Sequence, residues 1–221
     1  MSLEIIIGPM FSGKTTELIR RLNTFASIGK KCLYVNCSLD NREEKDFSTH
    51  NPDLNSISKI DSFKVLFINN YFIEQVKHYE VIGIDESQLF GVNLSTNTIN
   101  YLVDELDKKI IISGLNSDYK RNKFGKILDL IPVCDSVVKL YPYCKTCSEK
   151  GVVTKALFSK KITYDENIVD IGYNNYIPVC RKCYWNLFII CLQSYTEIRP
   201  IPDMLSLWIS FWLIFWNRFS K

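Results

Sequence analysis

At 221 residues the chain is long enough to bury a full core, as one large domain with room for a smaller one, and 47% hydrophobic residues suit a soluble globular protein. With 27 Lys and Arg against 24 Asp and Glu, the net charge of +3 excludes recruitment of nucleic acid or an anionic membrane by charge alone. Eight cysteines behind a start, MSLEIII, without the basic and apolar regions of an export leader point to reduced thiols or metal ligands in a cytoplasmic protein, not to a disulfide framework.

The first element is a short apolar run, Leu3, Ile5, Ile6 and Ile7, entering a turn of Gly8, Pro9, Met10, Phe11, Ser12 and Gly13 that ends in Lys14, Thr15 and Thr16. The spacing G-x-x-x-x-G-K-T is that of a phosphate-binding loop. A triphosphate needs several backbone N–H groups converging on it, and glycine lets the backbone come close. A helix starting near Lys14 adds its positive end, the Lys14 ammonium reaches the outer phosphates, and the Thr15 hydroxyl is placed to ligate Mg²⁺. A chance glycine turn is the alternative, disfavoured by the strand before it and the helix after it.

That helix carries Leu18, Leu22 and Phe25 on one face, while Arg20 and Arg21 read as solvated. Gly29 ends it, and Lys31 to Cys37 reads as a second buried strand. This start predicts a parallel α/β sheet with its ligand at the strand C-terminal ends. Residues 38–56 form a polar loop in which Asp40, Arg42 and His50 stand out. An acid and a base two residues apart can serve Mg²⁺ and a transferring phosphoryl group; a solvated charged loop explains them equally well.

Val81 to Phe90, VIGIDESQLF, runs an apolar strand into Asp85 and Glu86. Asp85 is placed to hold Mg²⁺, through water, opposite Thr15, and Glu86 to act as a general base; the bland alternative is a helix N-terminus. Residues 95–107 read as a helix capped by Ser95, and Lys109 to Gly114 as another buried strand. In the Lys- and Asn-rich loop that follows, Tyr119 and Phe124 can sandwich a planar base, with satellite core packing the alternative.

Cys144-x-x-Cys147 and Cys180-x-x-Cys183 are two knuckles with the spacing of a Cys₄ zinc site. Four thiolates leave no open position for water, so the ion is structural, stapling a subdomain too small for its own core. A redox pair fits less well without its fold context. Between the knuckles, Val152 to Ile171 reads as a β-hairpin or ribbon, and Cys32, Cys37, Cys134 and Cys191 as buried small hydrophobes. After Pro200 and Pro202 the apolar run 204–216 is too short to span a bilayer, which takes about 20 residues. Packing on a neighbouring subunit or on the body is the first reading of it; docking at a membrane interface and disorder are the alternatives.

Taken together, GPMFSGKTT, LDNR with the downstream THN, IGIDESQLF, ISGLNSDYKRNKFGKILDLIP and the paired CxxC ending in VCRKCYW resemble the cytosolic-type (type II) thymidine kinases over about residues 3–185. The resemblance implies a P-loop kinase-type parallel sheet flanked by helices, joined to a small zinc-ribbon or lasso β subdomain, and a homotetramer. The divisions would be a nucleotide-binding domain at 1–140, a zinc-binding lasso at 141–192 and the apolar tail at 193–221. It implies transfer of the γ-phosphoryl group of ATP to the 5′-hydroxyl of thymidine, with feedback inhibition by dTTP.

Carried over by position, Glu86 resembles the base, and Lys14 and Arg42 the groups that stabilise the moving phosphoryl. Thr15 and Asp85 would hold Mg²⁺, and residues Gly8 to Thr16 would hold the nucleotide. Asp40 matches the acid of a D-x-R pattern, Met10 and Phe11 would face the deoxyribose, and Tyr119 and Phe124 match base-contacting aromatics. A lasso containing Ile168, Val169, Asp170, Ile171 and Gly172, with Tyr176 at its end, would cover the base and read it through backbone groups. Two readings from other classes are a nucleotide-dependent switch and a zinc-ribbon nucleic-acid binder, the second opposed by the near-neutral charge.

Overall fold

The computed structural model describes residues 1–40, 60–163 and 175–185. Six short strands carry the architecture: β1 (Ser2–Gly8), β2 (Cys32–Cys37), β3 (Asp61–Val65), β4 (Val81–Ile84), β5 (Lys109–Leu115) and β6 (Ser136–Lys139). They lie in the order β3-β2-β4-β5-β1-β6, and every pairing is parallel. Parallel strands need helical crossovers, which cover both faces and make the central strands apolar throughout. Accordingly every residue of β2 and of β4 is buried.

The alternation of side chains along β1 divides the core in two. Ile5 and Ile7 join Val35, Ile82, Ile84 and Ile112 on one face, where α2 (Asn70–Val76) and α3 (Thr96–Asp104) add Phe72, Val76, Ile99 and Leu102. Ile6 joins Tyr34 and Ile111 on the other, under Leu18, Ile19, Leu22 and Ala26 of α1 (Lys14–Ser27). Two of the predicted helix boundaries hold for physical reasons, while α3 ends at Asp104, short of the expected 107. The Ser95 hydroxyl accepts from the Thr98 N–H and caps α3, and Gly29, at φ 84°, takes the left-handed turn beyond α1.

Arg21 departs from the solvated reading. Its side chain is only 16% exposed and pairs with Glu4 at 2.6 Å and Glu17 at 2.8 Å, because the α1 face that carries it lies over β1. Arg20 is the exposed partner, 2.7 Å from Glu17. Hydrogen bonds from Arg20 and then Arg21 hold the Glu17 carboxyl down at about 2, against the opposing effect of burial. A depressed carboxylate stabilises the fold fully above its ordinary titration range, and the contribution disappears as pH falls through the folded-state value. Glu17→Gln should therefore cost about 1 kcal/mol at neutral pH, and the gap to the parent protein in denaturant titrations should close as pH falls from 4.5 toward 2.

A second, antiparallel sheet pairs β7 (Phe158–Lys161) with β8 (Tyr176–Val179), with Phe158 opposite Val179 and Lys161 opposite Tyr176. The expected hairpin of 152–171 is thus displaced: its second strand starts at Tyr176 and runs directly into the Cys180 knuckle. The short α4 (Lys145–Ser148) carries the first knuckle. The chain divides into two compact units, Met1–Arg181 and Lys182–Lys221, and only 182–185 of the second are among the described residues. Among the described residues no helix is long and apolar enough to cross a membrane; the run 204–216 lies outside them.

Candidate active site

The phosphate loop leaves the C-terminal end of β1 and closes on the first turn of α1. At Gly8 a Cβ would fall 2.5 Å from the Leu140 carbonyl oxygen and 2.6 Å from Ser12 Oγ, so only glycine fits. Gly13, at φ 80°, is the helix N-cap without a side-chain cap bond, which leaves the first-turn N–H groups directed outward for an anion. Phe11 is also left-handed, at φ 65°, a conformation unfavourable for a side chain with a Cβ and one concentrated at ligand-binding loops. The buried Ser12 hydroxyl has no hydrogen-bond partner among the described residues. Lys14 folds back over the loop, its Nζ donating to the Pro9 carbonyl at 3.0 Å with the residue 8% exposed. An orphaned hydroxyl, outward amides and a buried ammonium are the donor set that a phosphate tail satisfies.

Across the sheet, β4 ends at Ile84 and delivers Asp85 to the same rim, almost fully buried. Tyr34 of β2 donates its hydroxyl to Asp85 Oδ2 at 2.9 Å, and Ser113 of β5 donates to Oδ1. Burial, then the neighbouring charge of Glu86, push the Asp85 carboxyl upward, while hydrogen bonds from Ser113 and Thr15 pull the other way. The Tyr34 hydroxyl is held far above its usual range, first by burial and then by Asp85. The loop threonine and the strand-end acid are therefore in contact. Two oxygen ligands meeting beside a phosphate loop suit Mg²⁺.

Glu86 itself takes a left-handed conformation, φ 46° and ψ 41°, at the head of a 3-10 segment, Ser87–Asn93. The helix-cap alternative does not hold for its side chain, which makes no capping hydrogen bond. The half-buried carboxylate accepts instead from Gln88 Nε2. Asp40 is fully buried and accepts from Asn36 Nδ2 at 3.0 Å, while its carbonyl accepts from Lys64 Nζ at 3.1 Å, so it is no solvated loop acid. Arg42 and His50 lie outside the described residues.

Of the aromatic candidates, Tyr119 is half-buried, its ring centroid 6.4 Å from that of Tyr176, and Phe124 is half-buried farther along the same loop. Lys161 of β7, 8% exposed, places its Nζ 5.7 Å from the Tyr119 centroid and 5.8 Å from that of Tyr176. Asp118 organises the loop by accepting from the Asn122 N–H at 2.8 Å. Residues Ile168, Val169, Asp170, Ile171 and Gly172 fall outside the described residues. One link absent from any motif ties the β7–β8 sheet to the phosphate loop: the Met10 N–H donates to Ser159 Oγ on β7 at 2.8 Å.

The sulfur atoms of Cys144, Cys147, Cys180 and Cys183 all lie within 4.8 Å of one another, with Cys147 Sγ 3.8 Å from Cys180 Sγ. Tetrahedral Zn–S bonds of about 2.3 Å set sulfurs about 3.8 Å apart, so the cluster fits one zinc ion. Cys32 and Cys37 are buried as expected, the Cys32 thiol pushed up to about 11, chiefly by burial. Cys134 is instead half-buried, on the loop leading into the edge strand β6, and Cys191 lies outside the described residues.

Helices on both faces of a parallel sheet, with a glycine-rich loop after β1 facing a buried acid after β4, define an α/β protein of the P-loop kinase type. A family model described as thymidine kinase matches residues 1–184. The thymidine kinase of Choristoneura fumiferana entomopoxvirus is 42% identical over 188 residues, covering 83% of this chain and 96% of that protein. That of vaccinia virus (strain Ankara) is 37% identical over 185 residues, covering 82% and 96%. The cytosolic thymidine kinase of Bos taurus is 36% identical over 185 residues, covering 83% of this chain and 71% of the bovine protein. The chain belongs to the thymidine kinase family, whose members are transferases that phosphorylate thymidine.

Proposed function

We propose that this thymidine kinase transfers the γ-phosphoryl group of ATP to the 5′-hydroxyl of thymidine, giving dTMP, across the rim where β1 and β4 end. The observation that supports this most is the contact of Thr15 with Asp85, which joins the phosphate loop to the strand end that carries Glu86. The backbone of Gly8 to Thr16 cradles the nucleotide phosphates, and Lys14, with Arg42, stabilises charge on the group in transit. Thr15 and Asp85 would hold Mg²⁺, whose charge offsets that of the phosphate oxygens.

Glu86 accepts the 5′-hydroxyl proton as the oxygen attacks. Met10 and Phe11 face the sugar with Asp40 nearby, and Tyr119, Phe124 and Tyr176 enclose the base beneath a lasso formed by 168–172. Cys144, Cys147, Cys180 and Cys183 would hold a structural Zn²⁺ that keeps β7 and β8 in place. With this go a division at 1–140, 141–192 and 193–221, a cytoplasmic homotetramer, inhibition by dTTP, and a tail at 204–216 that packs on a neighbouring subunit or touches a membrane. A nucleotide switch would need no second pocket, and the meeting of the Tyr119 and Tyr176 rings favours an acceptor site.

The deciding assay supplies purified protein with Mg²⁺, γ-labelled ATP and a panel of deoxynucleosides. Label should appear in dTMP, and only with the metal present. Nucleotide binding without label transfer to any deoxynucleoside would favour the switch.

A further inference from the structure

We infer that Gln88 is a positioning residue that holds the Glu86 carboxylate in its working orientation; this rests on the reading of Glu86 as the base. A glutamate has three side-chain torsions, and a general base must stay within about 3 Å of the proton it accepts. Glu86 is harder to hold than most, because the charge of Asp85 next to it in the chain repels it and its own backbone sits in the left-handed region. A neutral donor restrains such a carboxylate without adding a charge to the site.

Gln88 supplies that donor from a buried position, 4% exposed. Its amide orientation is set by a second bond: Oε1 accepts from the Leu115 N–H at the end of β5 at 2.9 Å. With the oxygen committed to an N–H, the amide nitrogen is the group that faces Glu86, and Nε2 donates to Glu86 Oε2. The walls are equally specific. A Cβ at Gly114 would meet Ser87 Oγ at 2.2 Å and Gln88 Oε1 at 2.9 Å. One at Gly125, itself at φ 66°, would meet Gln88 Cα at 2.8 Å. The end of β5 and the loop carrying Tyr119 and Phe124 thus clamp Gln88, and Gln88 in turn restrains Glu86.

Two variants of the full chain separate this from a packing role. Gln88→Met keeps the volume and removes both polar contacts. Gln88→Glu keeps an acceptor for the Leu115 N–H but turns an oxygen toward Glu86. A misdirected base slows chemistry without weakening ground-state binding, so kcat should fall ~10-fold for Gln88→Met and ~100-fold for Gln88→Glu, with KM for ATP and thymidine within about twofold of the parent. In a Glu86→Gln background, where only residual turnover is left to follow in single-turnover assays with labelled ATP, Gln88→Met should cause no further loss.

Unchanged kcat in Gln88→Glu, or an equal further loss in the Glu86→Gln background, overturns the inference. Full turnover by Glu86→Gln alone would instead overturn the reading of Glu86 as base.

Discussion

Glu86→Gln is expected to lower kcat by ~10²–10⁴-fold while leaving ATP affinity nearly unchanged. The substitution keeps shape and removes only the capacity to take a proton. The Thr15–Asp85 contact and the Lys14–Pro9 bond are made by other side chains, so the phosphate loop, Lys14 and Asp85 keep their geometry. Glu86 is half-buried and accepts from the Gln88 amide, and a glutamine at 86 can still offer that amide an oxygen. Fold and nucleotide binding should therefore survive. Titration with a fluorescent ATP analogue beside steady-state kinetics distinguishes lost chemistry from lost binding. Unchanged kcat would remove Glu86 as the base and leave Asp85 the only described acid at that strand end.

The second large effect concerns metal. Elemental analysis should find about one zinc per chain, and a chelator or Cys180→Ser should melt the β7–β8 sheet. That sheet has two strands of four residues, below what stands alone in water, so the thiolate cluster supplies what a core would otherwise provide. The loss should extend to nucleotide binding, because Ser159 on β7 accepts from the Met10 N–H of the phosphate loop. One hydrogen bond is worth about 1 kcal/mol, so Ser159→Ala alone should raise the KM for ATP about fivefold with zinc retained. Purified protein without zinc, yet with both sheets intact by far-UV circular dichroism, would refute the metal site.

The two outcomes differ in kind, and the difference reflects how each part is encoded. The phosphate loop, the Asp85-Glu86 pair and the two CxxC knuckles are contiguous, and their chemistry follows from spacing over a few residues. Neighbours along the chain stay neighbours in any fold, so those parts were legible. Tyr34 gave no such signal. In a strand read simply as buried, its hydroxyl reaches Asp85, 51 residues away, only because β2 and β4 are adjacent in the sheet. Ser113, Gln88, Ser159 and Lys161 are silent in the sequence for the same reason: the partner of each is set by strand order or by the packing of a separate sheet. The edge strands β3 and β6 escaped because DSFKV and SVVK carry little of the apolar patterning that full burial imposes. Arg21 reads as solvated in the sequence but is paired in the fold, because helical periodicity places a residue on a face without saying what that face covers.

Residue spacing alone names the groups this kinase brings to its chemistry: a glycine loop with its lysine and threonine, two acids at a strand end, and four thiols in two pairs. How those groups are held follows from the packed fold. The Tyr34 and Ser113 bonds that fix Asp85, the Leu115–Gln88–Glu86 relay and the Ser159 tie on Met10 all join segments distant in the chain. The reason is physical: local spacing fixes covalent neighbours, but a hydrogen bond between strands exists only once burial of the whole sheet has set their order and register.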